Sequence, residues 1–578
     1  MKKQETKNRN SPFQAYTNIL NYIYITGFLI LATTLFYFQV IKGDYFSNRA
    51  QKNYVRPMLI RAIRGSIFDR NGKTLAYDKA VFNISVIPRQ IYKEKESLFK
   101  EISIFSNYDK KNIERNYKKN FENLYTPVDI ITDIDKSLAL KLKERFGDNI
   151  IVNPQPQRYY PYSYSSSHLL GYVKEARIFY DQLKQYGYNP LERVGFLGIE
   201  QFYDAYLRGE DGGDLLEVDA KGREVGFLGK RLPKKGKDLY LTIDADIQES
   251  AQKTFEDKTG VLILMACADG EIISLYSSPS YNPNNFITGG KTSVFLNDPK
   301  SPLLNRSIQS AYPPGSTFKP VLAIAGLEEK KITPYTPFFC NGEYTLGNAR
   351  FRCLKSHHQQ NLYQAIAHSC NVYFYHLALL LGPRSISKWS IRLGLDSYTN
   401  IDLPHEKKGF IPTLSWKKKF LKQNWYAGDT LNLSIGQGYM QTTPLGLARA
   451  INCIATGGVM VTPHLLKRAD DLSPWIDTSK TLDIDKKNSN TIALAMRETV
   501  SSDSGTAHML EDLNLGLAGK TGTAQTGKES HGWFIGFFPF EKPKYLICVV
   551  LEHGGSSHNA VILTHKFLED IKQQGLLF

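Results

Sequence analysis

Several things are scarce in this sequence. Its 578 residues include only six cysteines, seven methionines and five tryptophans. No zinc-finger spacing and no RNA-recognition signature occurs, and the 72 basic residues are mixed with 56 acidic ones along the chain. The formal net charge of +16 therefore points to an anionic membrane surface or an anionic polymer more than to nucleic acid. Internal repeats and low-complexity tracts are absent. Only one long apolar run exists, so a multi-span membrane protein is excluded. What remains is globular: 42% apolar and 22% charged residues, in a chain long enough for two or more domains.

The apolar run extends from Ile19 to Ile41 without a charged residue, long enough to cross about 30 Å of hydrocarbon. Tyr22, Tyr24 and Tyr37 suit the interfaces, and Lys2, Lys3, Lys7 and Arg9 precede the run. The positive-inside rule then places the N-terminus in the cytoplasm and the body of the chain outside. A cleaved signal peptide is the alternative, but the run is long for one and no small-x-small site follows. The expected organisation is a cytoplasmic tail (1–18), a transmembrane helix (19–41), a non-catalytic pedestal (42–236) and a catalytic domain (237–578).

Asn71-Gly72 signals a tight turn between strands. Residues 97–146 are charge-rich with helical spacing. The basic turn Pro233-Lys234-Lys235-Gly236-Lys237 marks a domain junction. Beyond it, Leu239–Ile243 and the runs Val261–Ala266 and Glu271–Tyr276 flanking Asp269-Gly270 read as strands. So do His531–Phe538 and Tyr545–Leu551, and Val561–Gln573 reads as a terminal helix. Strands at both ends of this domain with helices between predict an α+β fold with one central antiparallel sheet.

Three motifs carry chemistry: Ser316-Thr317-Phe318-Lys319, Ser369-Cys370-Asn371 and Lys520-Thr521-Gly522-Thr523. A serine hydroxyl is a weak nucleophile and needs a base. Lys319, three residues on, shares a helical face with Ser316, and burial beside a second cation such as Lys520 lowers an amine's pKa. The rigid Tyr312-Pro313-Pro314-Gly315 turn should place Ser316 at the start of a helix, where free N–H groups favour negative charge. Ala518-Gly519 should let a strand edge approach a ligand closely. Taken singly, these motifs read as an N-cap serine, a helix cap and a tight turn. Their order, with 53 and 151 residues between successive serines and lysine, is what carries the signal.

In that order the motifs resemble those of the class B penicillin-binding proteins, the monofunctional peptidoglycan D,D-transpeptidases. Further stretches match: Arg64-Gly65 through Asn71-Gly72, His168–Val173, Gly198–Gln201, Trp425 with Gly428-Asp429-Thr430, and Gly436–Pro444, which looks like the family's helical stretch after the second motif. The resemblance spans about residues 15–575. It implies the penicillin-binding serine transpeptidase fold behind an elongated α/β pedestal. It also implies the roles. Ser316 attacks the penultimate D-alanine carbonyl of a stem peptide, and Lys319 takes its proton. Ser369 and Asn371 relay the proton and hold the peptide, with Lys520 assisting electrostatically. Thr521, Gly522 and Thr523 bind substrate, and the N–H groups of Ser316 and Thr523 form the oxyanion hole. β-Lactams trap Ser316.

Cys340, Cys353, His357 and Cys370 fall within 31 positions, in a C-x12-C-x3-H-x12-C pattern. Such a set suits a closed, structural zinc site. An exported compartment leaves a Cys340–Cys353 disulfide open, with Cys370 a small buried residue. Resemblance to elongation-type members implies zinc held by Asp, His and Cys, and Cys340 and Cys353 depart from that set. Cys267, Cys453 and Cys548 read as buried thiols.

A β-lactamase, a class A enzyme and a multi-span sensor fit poorly with one anchor and a long pedestal. A D,D-carboxypeptidase and a catalytically idle scaffold remain as alternatives. The elongation-type resemblance implies a SEDS-family glycan polymerase (RodA) and the scaffold MreC as partners, in the bacterial inner membrane with the catalytic domain in the periplasm. The stretch 97–146 is the place to seek such an interface, although a solvated helical face explains its charge as well.

Overall fold

The computed structural model describes residues 12–46, 55–121, 123–186, 192–219, 224–288, 292–469 and 478–576. Lys2, Lys3, Lys7 and Arg9, which set the expected orientation of the N-terminus, lie outside them. The chain divides into two compact units. One comprises residues 1–62, 83–153 and 210–234, and the other comprises residues 63–82, 154–209 and 235–578.

In the first unit an α-helix, Pro12–Phe36, continues into a π-helical turn, Tyr37–Ile41. Tyr16–Ile41 forms a 26-residue stretch of mean hydropathy 1.8, with no part buried by the rest of the protein. The hydroxyls of Thr26, Thr33 and Thr34 donate to carbonyls four residues back, so each has a partner within its own helix. Three antiparallel strands follow, Val55–Ile60, Gly212–Val218 and Glu224–Arg231. The charge-rich stretch forms helices Lys95–Ser106, Lys110–Asn120 and Lys136–Phe146, the last two capped by Asp109 and Asp135. One expectation there needs correction. Val128–Ile134 is a strand between helices. Its β-branched VDIITDI sequence favours the pleated conformation over a fourth helix.

The second unit is built on a five-stranded antiparallel sheet in the order Ile272–Ser278, Gly260–Ala266, Tyr545–Leu551, His531–Phe538, Ala518–Ala524. Both faces are buried across the first four strands, which is why those read as near-continuous apolar runs, while the edge strand Ala518–Ala524 carries the polar third motif. Leu262, Leu264, Phe534 and Val549 join one core with residues of helices Ala245–Phe255 and Ser557–Gln573. Val261, Ile263, Trp533 and Ile535 join the other, with helices Lys319–Glu328, Asn371–Arg392, Pro444–Ala455 and Lys486–Ser501. Each such side chain contributes about 1.5–3 kcal/mol on burial. Asp244 caps its helix through the N–H groups of Asp246 and Ile247. The terminal helix starts at Ser557, ahead of the expected Val561.

Gly436–Thr443 is not helical. Gly436 and Gly438 have φ of 66° and 76°, and Gln441 bridges to Phe410, so the helix waits for Pro444 with Thr443 as its cap. A small sheet joins Leu239–Leu241 to Leu466–Ala469 and, in parallel, to Ile67–Phe68. The same unit holds a buried ionic cluster. Glu200 bonds Arg64 Nε and Arg158 Nε, both at 2.6 Å, while Arg64 also meets Asp204 at 2.7 Å.

Candidate active site and thiol–imidazole cluster

Gly315–Phe318 forms a 3-10 turn, and the α-helix begins at Lys319. Ser316 therefore sits one turn ahead of the α-helix instead of opening it. Gly315, at φ 57°, donates its N–H to Gly436 O at 3.0 Å. Ser316 is partly accessible while Gly315, Thr317, Phe318 and Lys319 around it are buried.

Lys319 is completely buried, and burial pushes its amine down to about 8. Nζ donates to Ser369 O and Asn371 Oδ1, each at 2.7 Å, and lies 3.2 Å from Ser369 Oγ. A neutral amine has two hydrogens and one lone pair. The two short bonds use those hydrogens; in the protonated amine the third goes to Ser369 Oγ in the longer contact, and its loss frees the lone pair to accept a proton. Ser369 has φ 55°, an uncommon conformation for a residue with a Cβ that turns its carbonyl and hydroxyl toward Lys319.

Lys520 is also fully buried, and burial followed by the Lys319 charge drives it well below the ordinary lysine range. It donates to Thr521 O at 3.0 Å, and Thr521 Oγ1 lies 2.7 Å from Thr506 Oγ1. Thr506 escaped the sequence reading because a serine- and glycine-rich turn gives no sign that it reaches this strand. Thr523 is exposed, its hydroxyl accepts the Ser557 N–H at 3.1 Å, and its carbonyl meets Gln437 Nε2 at 3.5 Å. Gly522 makes room for the nucleophile turn, since a Cβ there would lie 2.8 Å from Thr317 Cγ2 and 2.9 Å from Pro314 O. Gly519 does not serve a ligand as expected. A Cβ there would strike the Phe534 ring at 2.5 Å, so its smallness serves packing across the sheet.

The four sequence-predicted ligands meet in one place. Cys340 Sγ and Cys353 Sγ lie 3.6 and 3.5 Å from His357 Nδ1, and Cys353 Sγ lies 4.0 Å from Cys370 Sγ. All four ligand atoms are within 4.8 Å of one another. A zinc ion bound at about 2.3 Å to sulfur and 2.0–2.1 Å to nitrogen spaces tetrahedral ligands roughly 3.5–3.8 Å apart, so the set fits. All six cysteines are free thiols, and no disulfide joins Cys340 to Cys353. Contact with Cys370 lowers the Cys353 thiol and raises that of Cys370, the first aided by the N–H groups of Val372 and Asn371. Cys267, Cys453 and Cys548 are buried, and His376 stacks on Phe338.

A serine between a rigid turn and a helix, two buried lysines and a hydroxyl-lined strand edge define a serine acyltransferase. The chain belongs to the penicillin-binding transpeptidases: residues 260–571 match the penicillin-binding protein transpeptidase domain, and residues 59–241 match the penicillin-binding protein dimerisation domain. It is 31% identical to the peptidoglycan D,D-transpeptidase MrdA of Haemophilus influenzae, covering 96% of this chain and 91% of that one. Identity to the Escherichia coli MrdA is 29%, covering 96% and 94%. Among solved structures, the complex of penicillin-binding protein PBP2 with MreC from Helicobacter pylori superposes with a TM-score of 0.80 at 33% identity, over 91% of this chain and all of that one. A peptidoglycan synthase complex coordinating polymerization and crosslinking superposes with a TM-score of 0.73 at 28% identity, over 96% and 97%.

Proposed function

We propose that this chain is an elongation-type peptidoglycan D,D-transpeptidase that forms an acyl-enzyme on Ser316. The observation that carries the reading is the bonding of the Lys319 amine to both Ser369 and Asn371, beside an accessible Ser316. Neutral Lys319 takes the Ser316 proton as the hydroxyl attacks the penultimate D-alanine carbonyl. The N–H groups of Ser316 and Thr523 hold the oxyanion, and such donors are worth about 3 kcal/mol each. Ser369 passes the proton to the departing D-alanine nitrogen. Lys520 assists electrostatically, Thr521 and Thr523 receive the terminal carboxylate, and Gly522 lets the strand approach. The amine of a second stem then attacks the acyl carbonyl, releases Ser316 and closes the cross-link. β-Lactams acylate the same oxygen.

Cys340, Cys353, His357 and Cys370 would hold a structural zinc ion, which would tie their loop to the second motif and supply no chemistry. The Tyr16–Ile41 helix anchors the chain in the bacterial inner membrane, with the catalytic unit in the periplasm. MreC and a SEDS-family polymerase such as RodA are its partners. The MreC complex of the Helicobacter pylori protein supports the first and the synthase complex supports the second. A surface groove of about 800 Å³ lined by Tyr92, Tyr117, Phe121 and Leu124 is the place to test for a partner.

The test is covalent labelling by a fluorescent penicillin, followed by a polymer cross-linking assay. Wild type labels and makes cross-linked dimers, whereas Ser316→Ala does neither. Equal labelling of both proteins removes Ser316 from the mechanism. Labelling with release of D-alanine but no dimers makes the enzyme a carboxypeptidase.

A further inference from the structure

Two segments border the nucleophile turn without entering the chemistry above. The first is the hairpin Glu343–Leu346 and Ala349–Arg352, whose last residue is tied to the second motif: Asn371 Nδ2 donates to Arg352 O at 3.2 Å. The second runs from Leu414 through a π-helical turn, Lys417–Leu421, that ends at Lys422 with φ 54°. Trp416 anchors it, with its ring 4.8 Å from Phe410 and 5.2 Å from Tyr439. Tyr439 belongs to the turn whose Gly436 accepts from Gly315 and whose Gln437 meets Thr523. Beside it, Phe351 of the hairpin reaches Gly428, where an added Cβ would lie 3.4 Å from its ring. Both segments thus lie within a few residues of Ser316, Asn371 and Thr523.

Their surface chemistry is unusual. Arg352, Lys418, Lys419 and Lys422 are exposed, and none has an acidic partner among the described residues. Their neighbours do: Lys417 is buried against Asp429 at 2.5 Å, and Arg350 faces Glu343 at 3.9 Å. The fold supplies acids where it needs cations for itself and leaves these four without one, Lys419 resting over the Phe420 ring at 5.5 Å. Large rings are exposed among them, with Phe420 at 65%, Tyr426 at 63% and Tyr439 at 43%. Cations interleaved with exposed rings suit a ligand that carries both carboxylates and flat apolar faces. The wall polymer has that chemistry, with carboxylates on its stem peptides and sugar rings in its backbone.

We propose that Arg352, Lys418, Lys419 and Lys422, with Phe420 and Tyr426, form a basic lip that binds the stem-peptide carboxylates of the polymer substrate. The inference rests on the transpeptidase reading and adds a polymer-binding subsite to it. The lip sets affinity for the strand, and Ser316 sets the chemistry. Penicillin lacks the repeated stem carboxylates of the polymer and gains little from the lip.

The test compares full-length wild type with Lys418→Gln/Lys419→Gln/Lys422→Gln, using uncross-linked polymer bearing pentapeptide stems. The KM for polymer should rise about tenfold with kcat retained, and the dependence of KM on salt should weaken. Wild-type protein given polymer whose stem carboxylates are amidated, except the terminal D-alanine carboxylate that Thr521 and Thr523 receive, should show the same raised KM. The triple lysine-to-arginine variant should restore wild-type behaviour. Penicillin labelling reports in each case that the Ser316 site is intact, and its absence from wild type would overturn the transpeptidase reading itself. An unchanged KM in the glutamine variant, or an equal effect of the variant on amidated polymer, overturns the lip. So does loss of binding to phosphatidylglycerol vesicles without any change in polymer KM, which would assign the lysines to a lipid surface.

Discussion

The backbone N–H of Asn371 donates to Cys353 Sγ at 3.2 Å, while the side-chain oxygen of the same Asn371 accepts from Lys319 Nζ at 2.7 Å. One residue thus joins the thiol–imidazole cluster to the amine assigned as base. Cys370, the middle residue of the second motif, contributes a sulfur to the same cluster. The cluster holds the start of helix Asn371–Arg392, and that start holds Lys319.

Removing the metal, or changing Cys353→Ser, should therefore impair chemistry without touching Ser316. Acylation by a labelled penicillin should fall by about tenfold, the scale seen when groups supporting a functional site are lost. Zinc should be found at one ion per chain, and its removal should also lower the unfolding temperature. Stoichiometric zinc that leaves acylation rate and unfolding unchanged on removal would separate the cluster from the catalytic helix. Protein prepared with metal-free precautions from zinc-replete cells and lacking zinc would dispose of the metal altogether.

The pH profile of acylation should follow Lys319. Burial lowers its amine to about 8. Below that pH the amine is protonated and has no lone pair for the Ser316 proton; above it the neutral base predominates. The rate constant should rise with pH through about 8 and then level off. Lys319→Arg, whose guanidinium stays charged, should lose the rising limb and most of the activity. A rate flat from pH 6 to 10 in wild type would deny Lys319 the role of base.

Much of this was legible in the sequence, for identifiable reasons. The central strands show as apolar runs because both sheet faces are buried, and Asn71-Gly72 shows as a turn because Gly72 needs φ 87°. The four metal-ligand candidates show because their residue types are rare and closely spaced. Other features depend on contacts distant in sequence and left no local trace. Gly519 looked like an opening for a ligand, yet the ring it accommodates belongs to Phe534 on the next strand. Gly436–Thr443 looked helical beside a true helix, but its shape follows from bonds to Gly315 and Phe410. Val128–Ile134 lay between helices of similar charge, and only its β-branched residues marked it as a strand.

Gly522→Ala tests how closely the third motif supports the nucleophile turn. A methyl group there would meet Thr317 Cγ2 at 2.8 Å and Pro314 O at 2.9 Å. The turn bearing Ser316 must shift, at a cost of about 1–3 kcal/mol. Penicillin acylation should drop by an order of magnitude or more, while the unfolding midpoint moves only modestly. Wild-type acylation in this variant would show that the turn has slack that the contacts do not suggest.

The last prediction concerns Glu200, which lies far from the chemistry in sequence and is fully buried between two guanidiniums. Burial alone would raise its carboxyl, but Arg158 and Arg64 more than offset this and hold it below the usual range. Tyr160 donates its hydroxyl to the same carboxylate at 3.2 Å. Glu200→Ala would leave two buried cations facing each other without their shared anion, a loss of about 3–5 kcal/mol. Glu200→Gln keeps the shape and the acceptor oxygen but not the charge, and should cost less. Because the carboxyl's pKa is depressed on folding, the stabilisation is present at neutral pH. It is lost as pH falls through the folded value, so both variants should also flatten the acid limb of the stability curve. Denaturant midpoints for the three proteins between pH 3 and pH 7 check both points. A Glu200→Ala protein as stable as wild type at pH 7 would show that the two arginines find other partners when the glutamate is gone.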